Sequence, residues 1–138
     1  MIFAVIDTNV LVSALLSRYP DAATVQVVSA ISKNGLRPLY NEEIINEYKD
    51  VLVRGKFGFP PKVIESILNK VIQDGLSAER VQSLEIFPDE DDAVFYEVAI
   101  SKDDAYLVTG NTKHFPKSPI VVTPAEMVAI LKDSNCDK

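Results

Sequence analysis

The stretch that most constrains the fold is "IFAVIDTNVLVSALL", residues 2 to 16, because it changes character in its middle. Residues 2–6 are apolar without alternation, which is typical of a central parallel strand covered on both faces. The polar triplet Asp7-Thr8-Asn9 interrupts the run, and the sequence "VLVSALLS" after it predicts a helix. A plain core strand would not contain this triplet, so the interruption indicates either a helix N-cap or a functional site.

Apolar runs alternate with amphipathic helical stretches along the rest of the chain. Further strands are predicted at 36–40, 83–87, 105–109 and 119–123, and Pro38 favours a peripheral place for the first of these. Helices are predicted at 22–33, 42–53, 62–74, 88–101 and from Pro124 onward. The alternation predicts a single domain over residues 1–138, with three α/β/α layers and a mostly parallel central sheet.

Composition narrows the class of protein. The chain has 138 residues, 47% of them hydrophobic, which suits one folded domain with its own core. The formal net charge of −6 argues against holding nucleic acid by general charge alone, although bound cations would reverse the sign locally. The single cysteine, Cys136, favours a reducing cytoplasm. No apolar stretch approaches the roughly 20 residues of a membrane span, and Asp7 comes too early for a signal peptide.

Two acidic residues stand at positions that call for a partner. Asp7 directly follows the first predicted strand, at the sheet edge where parallel α/β folds bind their ligands. Glu47 lies three residues after Ile44 and four before Val51, so it falls on the apolar face of its predicted helix. An inward carboxylate needs a partner, which is either a nearby Arg or Lys or a metal ion.

Asp92 repeats the pattern of Glu47. It lies three residues before Phe95 and seven before Ala99, which mark the buried stripe of its predicted helix. The preceding acids are also favoured near a helix N-terminus, and Asp89 with Asp92 can form a capping pair. With Asp91 between them, the cluster indicates either a helix cap or a cation site.

The fourth element is "VTGNTKHF", residues 108 to 115. Thr109, Gly110 and Asn111 follow a predicted buried strand as Asp7 does, and a loop of small polar residues can approach a ligand closely. His114 is the sole histidine, and a lone histidine is more often structural than catalytic. Without a second His or a Cys at ligand spacing, a zinc site is not expected.

Taken together, Asp7, Glu47, Asp92 and Asn111 are expected at one edge of the sheet. Oxygen-only ligands suit Mg²⁺ or Mn²⁺, and crowded like charges are costly without a cation. Such cations suit phosphodiester hydrolysis, because they ionise water and neutralise charge on the leaving oxygen. No nucleophilic Ser or Cys constellation is evident, so water is the predicted nucleophile.

These stretches resemble the motifs of the PIN-domain family over nearly the whole chain. "VIDTNVLVSAL" is similar to the first motif, with Asp7 as its acid and Thr8 or Asn9 beside it. "EEIINEYKDVL" is similar to the second motif, with Glu47 as its acid. "PDEDDAVFYEVAI" is similar to the third, where the helix register selects Asp92 with Asp89 or Asp91 nearby.

"AYLVTGNTKHF" resembles the fourth motif, which commonly carries an acid where this chain has Asn111. Asn111 can still ligate a metal or hydrogen-bond its water, but it adds no negative charge. A second metal would then bind weakly, and the activity would be low or absent. Thr109 is the supporting residue in this motif.

The resemblance implies a PIN-like fold and an Mg²⁺- or Mn²⁺-dependent endoribonuclease that cleaves single-stranded RNA. Within the family, the chain looks like the small prokaryotic toxins of toxin–antitoxin pairs. That likeness implies an antitoxin protein as partner and a homodimer.

Other readings of the same residues are possible. A phosphoaspartyl phosphatase also has an Asp after its first strand, but it needs a second acid where this chain has Asn9. A receiver-like domain needs an acid pair that "MIFAVI" lacks. The alternative left open is a catalytically weak module that dimerises or binds a protein, which Asn111 favours.

Basic residues near the motifs are candidates for contacting an RNA strand. They are Arg54, Lys56, Lys113, His114 and Lys117. As solvated surface charges they need no functional explanation, so substrate binding is the less favoured of the two interpretations.

Overall fold

The structure is a computed structural model that describes residues 1–33 and 35–136. Strands alternate with helices along these residues. The strands are β1 (Ile2–Ile6), β2 (Leu36–Tyr40), β3 (Leu76–Ser77), β4 (Tyr106–Val108) and β5 (Val121–Val122). The α-helices are α1 (Thr8–Leu16), α2 (Ala23–Ser32), α3 (Glu42–Leu52), α4 (Pro61–Asp74), α5 (Glu90–Ala99) and α6 (Pro124–Cys136), and a short 3₁₀ helix spans Thr112–His114.

The five strands form one parallel sheet in the order β3-β2-β1-β4-β5. The strand β1 lies at the centre, where Ala4 pairs with Pro38 of β2 on one side and with Tyr106 of β4 on the other. The chain leaves β1 first toward β2 and returns later to β4, so the strand order reverses between β1 and β4. This reversal is the place where open α/β sheets form their ligand sites.

The apolar run at the N-terminus is central because its side chains are covered on both faces. Ala4, Val5 and Ile6 have no exposed surface. The helix α2 contacts β2, α4 and α6, whereas α5 contacts β1, β4 and α3. The predicted three-layer α/β/α fold with a parallel sheet is therefore confirmed.

Two of the predicted helix starts rest on side-chain caps. The Asn41 side chain accepts a hydrogen bond from the Ile44 backbone amide at 2.8 Å, which begins α3. The Thr123 amide donates to Glu126 Oε1 at 3.0 Å, and the Glu126 amide donates to Thr123 Oγ1 at 3.1 Å. This reciprocal pair is a capping box at the start of α6.

The peripheral place predicted for the strand containing Pro38 is wrong. The strand β2 lies inside the sheet, between β3 and β1. The Tyr40 carbonyl accepts from the Ala78 amide, so Tyr40 directs its backbone groups toward β3. Pro38 stands two residues earlier in β2 and therefore directs its backbone groups to the same side. The strand β3 begins at Leu76, opposite Leu39, so Pro38 precedes the residues of β2 that pair with β3.

The strand predicted at 83–87 is also wrong, because residues 78–87 have no regular secondary structure. The edge strand is instead β3, two exposed residues that pair with Leu39 and Tyr40. The strand predicted at 119–123 is reduced to Val121 and Val122. The helix predicted from 88 to 101 is confirmed with closer bounds, those of α5.

Candidate active site

Asp7 lies where β1 ends and α1 begins, and it is buried with 7% of its surface exposed. Its backbone amide donates to the Val108 carbonyl at 2.9 Å, which fixes the end of β1 against the end of β4. The Asp7 side chain makes no capping bond to α1, although the residue occupies the N-cap position. The backbone amides of Thr8 and Asn9 nevertheless lower the pKa of Asp7, so the start of α1 favours the ionised carboxylate without a full capping bond.

Thr109 fixes one of the two carboxylate oxygens of Asp7. It is fully buried, and its hydroxyl donates to Asp7 Oδ2 at 2.7 Å. The same hydroxyl oxygen accepts from the Asn111 backbone amide at 3.0 Å, so the loop after β4 is tied to Asp7. Burial raises the pKa of Asp7 above its ordinary value, and the Thr109 bond, nearby backbone amides and the charge of His114 partly offset this rise.

The loop after β4 also faces the residues that follow Asp7. The Gly110 backbone amide donates to Asn9 Oδ1 at 3.4 Å, a long bond that brings the loop beside the start of α1. The Asn111 side chain is exposed and makes no hydrogen bond within the described part of the chain. Asn111 is thus next to the Thr109–Asp7 bond, and its role as a ligand stays a prediction.

Asp92 lies in the first turn of α5, close enough to Asp7 for their charges to interact. Burial raises the pKa of Asp92 to about 6, and the negative charges of Asp7, Asp89 and Asp91 add to the rise. His114 lies beside it, with 3.7 Å between His114 Nδ1 and Asp92 Oδ2, and lowers this pKa in part. These carboxylates therefore crowd one another, as the sequence predicts.

The capping pair predicted between Asp89 and Asp92 is wrong, because Asp89 caps the helix through Asp91 and not through Asp92. Asp89 is the N-cap of α5, but its side chain accepts from the Asp91 backbone amide at 2.9 Å. The Asp92 side chain makes no capping bond. The bond between these two residues runs from the Asp92 backbone amide to the Asp89 carbonyl, at 3.1 Å. The Asp92 carboxylate is thus free to face Asp7 and His114.

Glu47 is half-buried on α3, at the side of the cluster. Burial raises its pKa, and the negative charge of Asp91 adds to the rise, whereas Arg54 lowers it. In the described residues Glu47 forms no ion pair, so no Arg or Lys serves as the partner that its inward position calls for. The neighbouring Tyr48 is buried, and its hydroxyl donates to the Ile6 carbonyl, which anchors α3 to the end of β1 just before Asp7.

A buried hydroxyl next to Asp7 has no partner. Thr8 is 6% exposed, and its Oγ1 is the one buried side-chain polar atom without a hydrogen bond among the described residues. An orphaned buried hydroxyl costs about 1–3 kcal/mol, so it is expected where a water or ligand completes the site.

The donor set fits a hard divalent cation in its chemistry. Carboxylate, hydroxyl and amide oxygens predominate, and burial together with the charges of Asp7, Asp89 and Asp91 raises the pKa of Asp92. Within residues 1–33 and 35–136, however, no three His, Cys, Asp or Glu side chains are arranged to hold one metal ion together. The charge of Asp7 acts on Asp92, and the charge of Asp91 acts on both Asp92 and Glu47, but the metal roles of Asp7, Asp92 and Glu47 stay predictions.

The predicted substrate residues divide into two groups. Arg54 is exposed near Glu47, and His114 is exposed beside Asp92, so both border the cluster. The Lys56 ammonium lies over the Phe57 ring, 5.1 Å from its centroid, which is an ordinary surface contact. Lys113 is exposed and lines a separate cleft with Lys117.

The sequence does not predict the ion pair between Arg80 and Glu97, which ties the loop after β3 to α5. Glu97 is buried on α5, and Arg80 forms ion pairs with Glu97 at 2.6 Å and with Glu43 at 2.7 Å. The position of Glu97 between buried Phe95 and Val98 was the available signal, but its partner lies in a loop. The Glu97 pKa is lowered, mainly by the bond from the Ser83 amide and also by Arg80.

Comparisons with known proteins bear on the family of the chain. Among the helices of the described residues, none has the length and apolar character to cross a membrane. No curated protein shows a significant match to the chain. A family model described as a PIN domain matches residues 4–113, from β1 to the loop after β4. The chain therefore belongs to the PIN-domain family, whose members are in general metal-dependent nucleases.

Proposed function

We propose that the protein is a metal-dependent endoribonuclease that cleaves single-stranded RNA by attack of water on the phosphodiester. The observation that supports this most directly is the buried carboxylate of Asp7 at the point where the strand order reverses. Its charge raises the pKa of Asp92, and Thr109 holds one of its oxygens. Two buried or partly buried carboxylates at this place, without a Lys or Arg partner within the described residues, suit a divalent cation.

In this proposal Asp7 and Asp92 are the principal ligands of Mg²⁺ or Mn²⁺, and Glu47 contributes from α3. The cation supplies ionised water and neutralises charge on the leaving oxygen when it is bound. Thr109 orients Asp7 through its hydrogen bond, so the second oxygen of Asp7 can face the cation. Asn111 would provide a neutral oxygen, which lowers the affinity for a second metal.

The supporting residues keep this arrangement in place. Thr8 offers an unpartnered hydroxyl beside Asp7, and Asn9 holds the Gly110 amide. Asp89 caps α5 through the Asp91 amide, which fixes the turn that carries Asp92. Each of these contacts acts on the position of a ligand and not on the substrate.

Substrate binding is proposed for the cations that border the cluster. Arg54 and His114 would contact phosphates on either side of the scissile bond, with Lys56 and Lys113 further along the strand. Because the net charge is −6, binding would depend on these few cations and on the bound metal. We propose that the protein acts in the cytoplasm, which its single cysteine favours.

The test is cleavage of a labelled, unstructured RNA by the wild type and by Asp7→Asn. We expect cleavage with Mg²⁺ or Mn²⁺, none with a chelator, and none with Asp7→Asn at any metal concentration. The matched control is Asp21→Asn, which makes the same chemical change at an exposed position. Cleavage by folded Asp7→Asn at the wild-type rate would contradict the proposal.

A second candidate is a catalytically weak PIN module that acts by binding a protein or by dimerising. The observation that favours it is that no three ligand side chains in the described part surround one point, together with the neutral Asn111. If the wild type cleaves no RNA with any divalent metal while it remains folded, this candidate is the better one.

We further propose that the nuclease is the toxin of a toxin–antitoxin pair and forms a homodimer. Expression of the wild type in bacterial cells should arrest growth, whereas Asp7→Asn should not. Sedimentation of the purified chain tests the homodimer separately from its activity.

A further inference from the structure

An exposed apolar segment connects β3 to α5 and takes no part in the proposed chemistry. We call residues 81–87 the edge segment. Leu84 is 95% exposed and Ile86 is 93% exposed, which is unusual for two large apolar side chains so close together. The segment ends on Phe87, which is held to the body by ring contacts with Tyr96 and Phe115 at 5.7 and 6.3 Å.

Backbone hydrogen bonds alternate along the edge segment. The Val81 amide donates to the Glu97 carbonyl at 3.2 Å, and the Ser83 amide donates to Glu97 Oε2 at 2.7 Å. The Glu85 amide donates to Ser83 Oγ at 3.1 Å. Within the described residues, the amides of Leu84 and Ile86 have no acceptor. An edge strand has this pattern, because successive residues direct their backbone groups to opposite sides.

The sequence of the segment supports the same interpretation. "SLEIF", residues 83 to 87, has the composition and alternation of a strand, yet the fold provides no neighbouring strand. Leu84 and Ile86 stand two residues apart, so in an extended chain they lie on one face, with Glu85 on the other. A strand supplied from outside would satisfy both the free amides and the two exposed side chains.

The charge next to the edge segment indicates what such a strand must carry. A cleft of about 570 Å³ adjoins the segment, and the charged residues that line it are Glu43, Arg80, Glu85, Glu90 and Asp91. Arg80 is already paired with Glu43 and Glu97. Glu85, Glu90 and Asp91 form no ion pair among the described residues, so the cleft has an excess of negative charge.

We propose that the edge segment is a docking strand for an extended segment of a partner protein that alternates apolar and basic residues. The partner's apolar side chains would cover Leu84 and Ile86, and its Lys or Arg side chains would face Glu85 and the acidic cleft. Backbone bonds to the amides of Leu84 and Ile86 would supply the register. The proposal goes beyond the nuclease function and does not require RNA cleavage.

A second copy of this chain is the less suitable occupant. Antiparallel pairing of two copies that sets Leu84 opposite Ile86 is centred on Glu85 and places Glu85 opposite Glu85, and directly opposed like charges destabilise a strand pair. The net charge of −6 adds to the repulsion between two copies. A basic partner has neither disadvantage.

The test uses the full chain and a labelled peptide, Arg-Val-Lys-Val-Arg-Val, with blocked ends, measured by fluorescence anisotropy. We expect saturable binding to the wild type and at least about tenfold weaker binding to the double variant Leu84→Lys/Ile86→Lys. The double variant Leu16→Lys/Val53→Lys is the matched control, because it adds the same charge at two other exposed apolar residues. The control should bind as the wild type does.

Two further comparisons separate strand pairing from a general attraction. The acidic peptide Glu-Val-Glu-Val-Glu-Val should not bind. Leu84→Pro should bind more weakly than Leu84→Ala, because only the proline removes the free amide. Thermal melting of each variant establishes that it is folded.

Three results would overturn the proposal. They are no saturable binding of the basic peptide, equal binding by the edge-segment variant and its control, and equal binding of the acidic peptide. A dimer of the chain alone that Leu84→Lys/Ile86→Lys dissociates would identify a second copy as the occupant and overturn it as well.

Discussion

Thr109 is the residue on which the position of Asp7 depends. Its hydroxyl is the sole side-chain donor to the Asp7 carboxylate within the described residues, and both side chains are buried. A hydrogen bond to a charged group in such a place contributes about 1.5–3 kcal/mol. The pair therefore stabilises the fold and holds the ionised form of Asp7 at the same time.

We expect Thr109→Val to lower the free energy of unfolding by about 1.5–3 kcal/mol at neutral pH, because Asp7 loses its donor. The pKa of Asp7 should rise further, and metal affinity should fall. Urea denaturation and metal titration measure the two effects. Thr109→Ser keeps the hydroxyl and should behave nearly as the wild type; if it loses as much as Thr109→Val, the hydrogen bond is not the cause.

Asp92 makes stability depend on pH when no metal is present. Burial and the neighbouring negative charges raise its pKa from 3.8 to about 6, so the folded state favours the protonated form. The contribution of Asp92 to the free energy of unfolding is therefore full below about pH 4, and it is lost as the pH rises through about 6. Thermal melting in a chelator should therefore show a larger loss between these values for the wild type than for Asp92→Asn. Equal pH profiles for the two proteins would contradict this assignment.

Among the elements, the short strand β3 depends on a close approach to its neighbours. Gly75 stands between α4 and β3, beside the backbone oxygens of Val71 and Pro38. A Cβ at this position would lie 2.5 Å from the Pro38 oxygen and closer still to that of Val71. Only glycine allows the chain to leave α4 and pair with β2 at once.

Gly75→Ala should destabilise the protein by at least about 1–3 kcal/mol, because backbone atoms must move to admit the methyl group. The matched control is Gly55→Ala, where nothing lies within 4 Å of the added atom. That change should stay within about 0.5 kcal/mol of the wild type. Chemical denaturation of both variants is the measurement, and equal stabilities would show that β3 tolerates displacement.

Sequence patterns predict the elements that depend on local periodicity and miss those that depend on a distant partner. The strand β1 and the helix α5 are predicted because their apolar side chains are buried at the expected spacing. The strand β3 is missed because two exposed residues carry no pattern, and only pairing with β2 makes them a strand. The stretch 83–87 has the pattern of a strand but lacks a neighbour.

The same distinction holds for the site. Asp7 and Thr109 are found because each follows a buried strand, and the parallel sheet brings strand ends together. The link between Arg80 and Glu97 could not be found, because it depends on how an irregular loop crosses α5. In α3, Ile45 is buried whereas the predicted Val51 is half-buried, a small error in the helix register.

In the whole molecule, excess negative charge gathers at one edge of the sheet. The net charge is −6, and Asp7, Asp89 and Asp91 lie close enough to Asp92 to add to the rise in its pKa that burial causes. This repulsion is a cost to the folded state that the unfolded chain largely avoids. A divalent cation bound at the cluster would remove the cost, so metal binding and folding are expected to be coupled.

Saturating Mn²⁺ should therefore stabilise the wild type, by about 2.7 kcal/mol at one hundred times its dissociation constant. Asp7→Asn should gain much less, because it lacks the carboxylate that we propose as the principal ligand. Denaturation with and without metal gives the difference for each protein. Equal stabilisation of the two proteins would place the cation elsewhere on the surface.

The bond between Thr109 and Asp7 also sets the order of events during synthesis. It joins residues 102 positions apart, and the Thr109 amide bonds in turn to the Val122 carbonyl of the last strand. A nascent chain cannot assemble the cluster until the residues from Asp7 to Val122 have left the ribosome. We therefore expect the site to form only after β4 and β5 have been synthesised, long after β1 and Asp7 have emerged.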